Sequence, residues 1–310
     1  MKVESIRTLI NEIEIQLEHS SDEVKRLFHG RGRCWEGLEQ VTVDWIDRQL
    51  VVALYKEPAA DFVSELKSEL FTLGDKPVWK QAGGHTVLIQ YRYVQGAETE
   101  VVFGNVEWAP IVTEHGLKFQ MSLGRNQNSG LFLDMKNGRQ WVKEHSENKR
   151  VLNLFAYTCG FSVAAIAGGA DLVVNVDMAK HSLSTGRDNH RLNAHDLSKV
   201  KFLAHDIFKS WGKIKKSGPY DIVIIDPPSF QKGSFALTSD YKKILRRLPE
   251  LVAEDGMIMA CVNSPAVSSR FLVEQMAEHA PQYTFHERLD NPKEFPDDDK
   301  EAGLKVMLFQ

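Results

Sequence analysis

The run Tyr220-Asp-Ile-Val-Ile-Ile-Asp226-Pro-Pro-Ser-Phe230 puts one carboxylate directly after an apolar stretch, and two prolines directly after the carboxylate. An ionisable group at the end of an apolar strand is costly unless it has a partner. Pro227 and Pro228 fix their own φ and remove two backbone donors. The turn therefore offers carbonyls and the Asp226 carboxylate, all of them acceptors. Such a turn suits a group with N–H donors and a flat face, a nucleobase for example, with Phe230 available to stack on it. A plain Pro-Pro turn leaves the place of Asp226 unexplained.

Two more carboxylates follow strand-like runs: Asp177 closes Leu172-Val-Val-Asn-Val-Asp177, and Asp206 follows Val200–Ala204. A carboxylate after a second strand can accept from two ribose hydroxyls, which is the expectation for Asp177. Asp206 is placed to accept from an adenine amino group, with Ile207 against the ring; the competing reading is a helix N-cap. Upstream, in Asn153-Leu-Phe-Ala-Tyr-Thr-Cys-Gly-Phe161, Ala156 and Gly160 let the backbone approach a ligand where a helix begins. No GxGxxG is present, and Phe155 and Tyr157 crowd the turn, which argues against the pyrophosphate of NAD. A nucleoside without a pyrophosphate fits better, and S-adenosylmethionine is such a ligand.

These residues need a scaffold that brings strand ends together. Strand-like runs at Val151–Phe155, Leu172–Val176, Val200–Ala204, Ile222–Ile225 and Met257–Cys261 alternate with helical stretches at Phe161–Ala167, Lys180–Asn193, Ile207–Lys213 and Asp240–Val252. That alternation predicts an open, mostly parallel α/β sheet with ligands at the carboxyl ends of its strands. His286–Leu289 and Lys305–Phe309 predict an antiparallel closing pair. The chain changes character near residue 115. Residues 1–25 read as an N-terminal helix, 26–114 as a small α+β domain for substrate or RNA, and 115–310 as the α/β domain.

At 310 residues, with 43% hydrophobic and 26% charged side chains, the chain is an ordinary globular one with room for two domains. Its net charge of −4 disfavours non-specific coating of duplexes and leaves RNA binding to local patches. The 3 cysteines form no CxxC pair and the 11 histidines no HxxxH or HExxH pair, so no metal site is expected. No apolar run approaches the roughly 18 residues of a membrane span, and the acidic start is no secretory signal. The expectation is a cytoplasmic protein. Basic candidates for RNA contact are His29-Gly-Arg-Gly-Arg33 beside Trp35, the trio Lys213, Lys215 and Lys216, and the helix residues Lys242, Lys243, Arg246 and Arg247. Asp290–Glu301 reads as an acidic surface loop.

Together, LNLFAYTCGFSV, GGADLVVNVDMAK, LNAHDLSKVKFLAHDIF and YDIVIIDPPSF resemble the class I S-adenosylmethionine-dependent methyltransferases. With EHGLKFQMSL and NSGLFLDMKNGR added, the chain is most similar to bacterial large-subunit rRNA base methyltransferases that make 5-methylcytosine or 7-methylguanine. The resemblance runs from Arg26 to the end of the chain. It implies a Rossmann-like sheet, mostly parallel with an antiparallel last strand, and S-adenosylmethionine as cofactor. It also implies a cofactor pocket lined by Phe132, Asp134, Phe155, Tyr157, Thr158, Gly160, Asp177, Met178, Asp206, Ile207 and Asp226.

Three departures accompany it. Cys159 stands in a loop where the family has Gly before its Gly or Ser; Lys136 replaces an Arg and its bidentate reach; and no PUA module precedes the first helix. A 5-methylcytosine enzyme needs a thiolate to attack the base, and at that family position this chain has Asn263, as the 7-methylguanine branch does. Cys261, two residues earlier, reads as a buried structural thiol. The resemblance thus implies Asp226, Pro227, Pro228, Phe230 and Asn263 as the residues around the reacting base, guanine N7 or another ring or exocyclic nitrogen of rRNA. The alternative is a methyltransferase for a small molecule or protein, or a cofactor-binding protein that acts on no RNA.

Overall fold

The computed structural model describes residues 1–19, 21–124, 128–228 and 237–310, with only the backbone of Leu237 and Thr238. Phe230, expected to stack on a base, lies outside the described residues. Two compact units emerge: Met1–Leu133 with Pro292–Asp299, and Asp134–Asn291 with Lys300–Gln310.

In the first unit, α1 (Ile6–Glu18) buries Ile6, Leu9, Ile10, Ile13 and Leu17, a helical stripe. A five-stranded sheet follows, in spatial order β1 (Lys25–His29), β2 (Val41–Ile46), β3 (Gln49–Leu54), β4 (Thr86–Tyr91) and β5 (Glu98–Phe103). All pairs are antiparallel except β3 with β4, which are joined through α2 (Ala60–Leu73) and α3 (Pro77–Gln81). Trp45, Phe62 and Trp79 sit in its core with the apolar face of α1. A short hairpin, β6 (Ile111–Glu114) and β7 (Leu117–Gln120), completes this unit.

The division differs from the one expected at residues 25 and 115. The α1 helix is part of the first unit's core rather than a separate element. The β6–β7 hairpin is tied to it by the Val24 amide, which donates to Thr113 O at 2.9 Å, and by the His115 amide, which donates to Glu23 at 2.7 Å. Residues 292–299, from the acidic loop, join it too: the Asp298 amide donates to Gly32 O at 2.8 Å, and the Phe295 ring lies tilted against that of His29 with centroids 5.0 Å apart.

The second unit begins with α4 (Lys136–His145). Its strands and helices then alternate: β8 (Arg150–Leu154), α5 (Gly160–Ala167), β9 (Leu172–Asp177), α6 (Lys180–Leu192), β10 (Val200–Ala204), α7 (Trp211–Lys215) and β11 (Tyr220–Ile225). They continue as α8 (Leu237–Leu245), α9 (Leu248–Leu251), β12 (Val252–Val262), α10 (Ser269–His279), β13 (Phe285–Leu289) and β14 (Lys305–Phe309). The seven-stranded sheet runs β10-β9-β8-β11-β12-β14-β13. Its first five strands are parallel, and β14 is antiparallel to both its neighbours. This is the mostly parallel sheet with antiparallel closure that the alternation implied. Strands buried on both faces read as continuous apolar runs, and β11 buries Tyr220 and Ile222 to Ile225.

Two helices differ from expectation. The stretch 240–252 is α8, then α9, then the start of β12, because Pro249 lacks an amide donor and restrains the residue before it. The stretch 207–213 opens as a 3-10 turn capped by Asp206, and α7 starts only at Trp211. Among the described residues, no helix is long and apolar enough to cross a membrane.

Candidate cofactor and substrate site at the strand ends

In the order of its own strands the sheet runs third, second, first, fourth, so the strand order reverses between the parallel neighbours β8 and β11. Open α/β sheets bind ligands at such a switch point, beyond the carboxyl ends of the strands. The register fixes what stands there. Val176, Leu154, Ile225 and Ala260 share one rung of β9, β8, β11 and β12. The next residues outward are Asp177, Phe155, Asp226 and Cys261.

The loop after β8 carries its own signature. Phe155, Tyr157 and Cys159 all hold positive φ, at 58°, 47° and 63°, and none is glycine. Left-handed conformations of bulky residues cost free energy and persist only where the surroundings impose them. One restraint is visible: the Tyr157 amide donates to Asp177 Oδ2 at 2.8 Å. The second Asp177 oxygen accepts the Ala179 amide at 2.7 Å. Each carboxylate oxygen has two lone pairs, so this half-buried group keeps acceptor capacity for a ligand. Met178 beside it is 59% exposed.

Other expected residues sit differently. Asp206 is a cap: its Oδ1 accepts the Phe208 amide at 2.9 Å, and Lys209 stands 3.6 Å from Oδ2. Ile207 is buried in the core on the α7–α10 face, whereas Met178 is exposed. Thr158 is buried, its carbonyl accepting from Asn189 Nδ2 at 3.0 Å, and Gly160 opens α5. Phe132 is 45% exposed and belongs to the first unit, whereas Asp134 belongs to the second.

Around Asp226 the structure gathers charge. Burial raises the Asp226 carboxyl to about 7, Asp134 pushes it the same way, and Arg139 opposes them. Arg139 is itself a buried residue of α4. Asn263, just past β12, is exposed and donates from Nδ2 to Asp134 Oδ2 at 3.1 Å. Pro227 is buried and Pro228 half-buried after Asp226. Cys261 is fully buried, and burial, then Asp226 and Asp134, push its thiol well above the ordinary range. Its carbonyl accepts from the Tyr241 hydroxyl at 3.2 Å.

Sequence reasoning passed over two features. Arg139 ends the motif 128–139, and its place between Gly138 and Val142 on the buried side of α4 was the available signal. The second is a buried polar string. Asn153 donates to Asn175 at 2.9 Å, Asn175 to Ser162 at 2.9 Å, and the Ser162 hydroxyl meets His190 Nε2 at 2.9 Å. Burial, then His195, lower His190 to about 3, so the string holds a neutral imidazole. The basic helix residues are partly neutralised: Lys243 pairs with Asp240 at 2.7 Å, and Lys215 and Arg247 both reach Glu250. No three acidic, His or Cys groups able to hold a metal ion cluster among the described residues.

Comparison with known proteins meets the same architecture. The Bacillus subtilis protein named "Putative ribosomal RNA large subunit methyltransferase YwbD" is 30% identical over 282 residues, covering 87% of this chain and 69% of that one. The Aeromonas salmonicida "Ribosomal RNA large subunit methyltransferase I" is 30% identical over 232 residues, covering 72% of this chain; the matched region spans 57% of that relative. Among solved structures, SMU.776, a putative methyltransferase complexed with SAH, superposes with a TM-score of 0.84 at 25% identity, covering 100% of this chain and 82% of that one. Residues 25–310 match the family described as S-adenosylmethionine-dependent methyltransferase. With that match over the strand-end site just described, the chain belongs to the S-adenosylmethionine-dependent methyltransferases, and S-adenosylmethionine is its cofactor.

Proposed function

We propose that this methyltransferase modifies a base of ribosomal RNA in the cytoplasm, at guanine N7 or another ring or exocyclic nitrogen. The observation that carries the reading is the pairing of an acceptor-only turn, Asp226-Pro227-Pro228, with an exposed Asn263 where a C5 mechanism would need an exposed thiol. Cys261 is too buried and too poor an acid to attack a base. The relatives named as rRNA large subunit methyltransferases support RNA as the substrate.

The residues present fit the cofactor, because a half-exposed carboxylate with spare lone pairs beside an exposed thioether is a donor set suited to a nucleoside. Asp177 takes the ribose hydroxyls, Met178 covers the adenine, and the backbone of Phe155 to Gly160 lies along the rest. When bound, the cofactor supplies a sulfonium methyl group. A nitrogen with a free lone pair needs no activating base, so this chain's task is alignment. Asp226 accepts from N–H groups, which draw its raised carboxyl back toward the ionised form. One Asn263 hydrogen is held by Asp134, which fixes the amide and leaves its oxygen and second hydrogen for the edge of a base.

The test is transfer of a labelled methyl group to total RNA, followed by mass analysis of the nucleosides. An N-methylated purine, 7-methylguanosine first, is expected. Label in 5-methylcytidine would overturn the nitrogen assignment. Label only in small molecules or protein would overturn RNA as the substrate.

A further inference from the structure

The arginines near the Gly30–Gly32 turn of the first unit fall into two groups. Arg26 is ion-paired with Asp44, and Arg33 reaches Asp297 at 3.5 Å. Arg31 and Arg92 have no carboxylate partner among the described residues. Their guanidinium carbons instead lie 4.3 Å and 5.2 Å from the centroid of one ring, that of Tyr55.

All three residues stand on rigid backbone. Tyr55 and Arg92 are the first residues beyond β3 and β4, whose parallel register sets Leu54 beside Tyr91. The Arg92 amide donates to Leu54 O at 2.9 Å and the Tyr55 amide to Gln40 O at 2.9 Å. Arg31 is exposed between two glycines that leave no room for a side chain. A Cβ on Gly30 would stand 1.9 Å from Leu38 O, and one on Gly32 would stand 1.8 Å from Pro296 O. The turn is pinned on both sides of the arginine it presents.

Two cations gathered on one ring repel each other unless an anion joins them. Contact with the tyrosine ring leaves donors of both guanidiniums for another partner, although Arg92 Nη1 also donates to Gln90 Oε1 at 3.3 Å. A planar fork of donors matches the paired oxygens of a phosphodiester. We infer that Arg31, Tyr55 and Arg92 form a clamp on the phosphodiester backbone of single-stranded RNA, an inference that rests on the RNA substrate proposed above. The clamp positions RNA without reading its sequence.

The test is fluorescence anisotropy of a short labelled single-stranded RNA, titrated with the full chain across a range of salt. The variants are Arg31→Ala/Arg92→Ala, Arg31→Lys/Arg92→Lys, and Arg7→Ala, which removes an exposed arginine of α1. Losing two phosphate contacts should make the log–log salt slope shallower by about 1.4 and weaken binding roughly tenfold or more at moderate salt. Arg7→Ala should stay within about twofold, and the lysine variant should keep the slope while losing part of the affinity. Cofactor affinity, by calorimetry, should be the same in all of them. An unchanged slope in the double alanine variant, or an equal loss in Arg7→Ala, overturns the clamp. If RNA is still methylated by that variant with unchanged KM, the clamp falls and the proposed function stands. If the unaltered chain binds no RNA, both fall; if it prefers anionic vesicles with the same arginine dependence, a membrane replaces RNA as the partner.

Discussion

Asn263 and Asp134, 129 positions apart in the chain, meet through a hydrogen bond of 3.1 Å, Nδ2 to Oδ2, joining the end of β12 to the turn before α4. The bond holds in place an exposed amide near the Asp226 turn. Asn263→Ala should therefore lower methyl transfer about 10- to 100-fold while cofactor affinity stays within a few-fold, since an interaction that orients the reacting base acts on turnover. Single-turnover rates set against calorimetric affinities check this. Equal losses in both would mean that Asn263 supports the cofactor rather than the base.

Asp226 ties folding to pH. Its carboxyl is held at about 7 when folded, against an ordinary 3.8, with burial as the first cause and Asp134 as the second. The unfolded chain gives up this proton more readily than the folded one. The contribution to stability is thus intact below 3.8 and is lost as the pH rises through the window up to about 7. Asp226→Asn cannot ionise, so it should melt close to the parent at pH 4 and roughly 3–8 °C above it at pH 8. Melting curves at the two pH values decide it, and the same variant should have lost methyl transfer.

Asp177 holds the strained loop and, in the proposed function, the ribose. Loss of a hydrogen bond to a charged group costs about 1.5–3 kcal/mol, so Asp177→Ala should weaken binding of S-adenosylmethionine roughly 10- to 150-fold. Asp177→Asn keeps one acceptor and should fall between. Unchanged affinity in calorimetry would take Asp177 out of the site.

Cys261 offers a clean contrast. A fully buried thiol that acts only as packing should tolerate replacement by serine or alanine at a cost in stability and little in rate. A folded Cys261→Ala chain with no activity, or a covalent RNA adduct on Cys261, would restore a C5 mechanism.

Much of the second unit was legible because a buried parallel strand writes itself as an apolar run, and β9 and β11 do so with an aspartate at the end, Asp177 as the last residue of β9 and Asp226 just past β11. Asp177 and Asp226 could be picked out on that basis alone. What stayed hidden depends on distant contacts or on backbone. The positive φ of Phe155, Tyr157 and Cys159 leaves no trace in residues that normally avoid it. Asp206 carries the same local pattern whether it caps a turn or meets an adenine. The strand β1 is a charged Lys25–His29 run whose pairing slips between Arg26 and Phe28, so its alternation is broken. Arg31 stands out in the sequence as part of a basic run, but the close approach of Leu38 and Pro296 to its flanking glycines comes from distant segments and leaves no local trace.

The excursion of residues 292–299 into the first unit sets an order of events during synthesis. Gly32, His29 and Arg33 receive Asp298, Phe295 and Asp297 from a segment made near the carboxyl end of the chain. Domains usually close in the order in which they leave the ribosome. Here the amino-terminal unit is translated first and finished late, its sheet waiting with one face of the β1 turn bare while the whole second unit is still being made. A chain stalled before Pro292 would present that bare edge to chaperones.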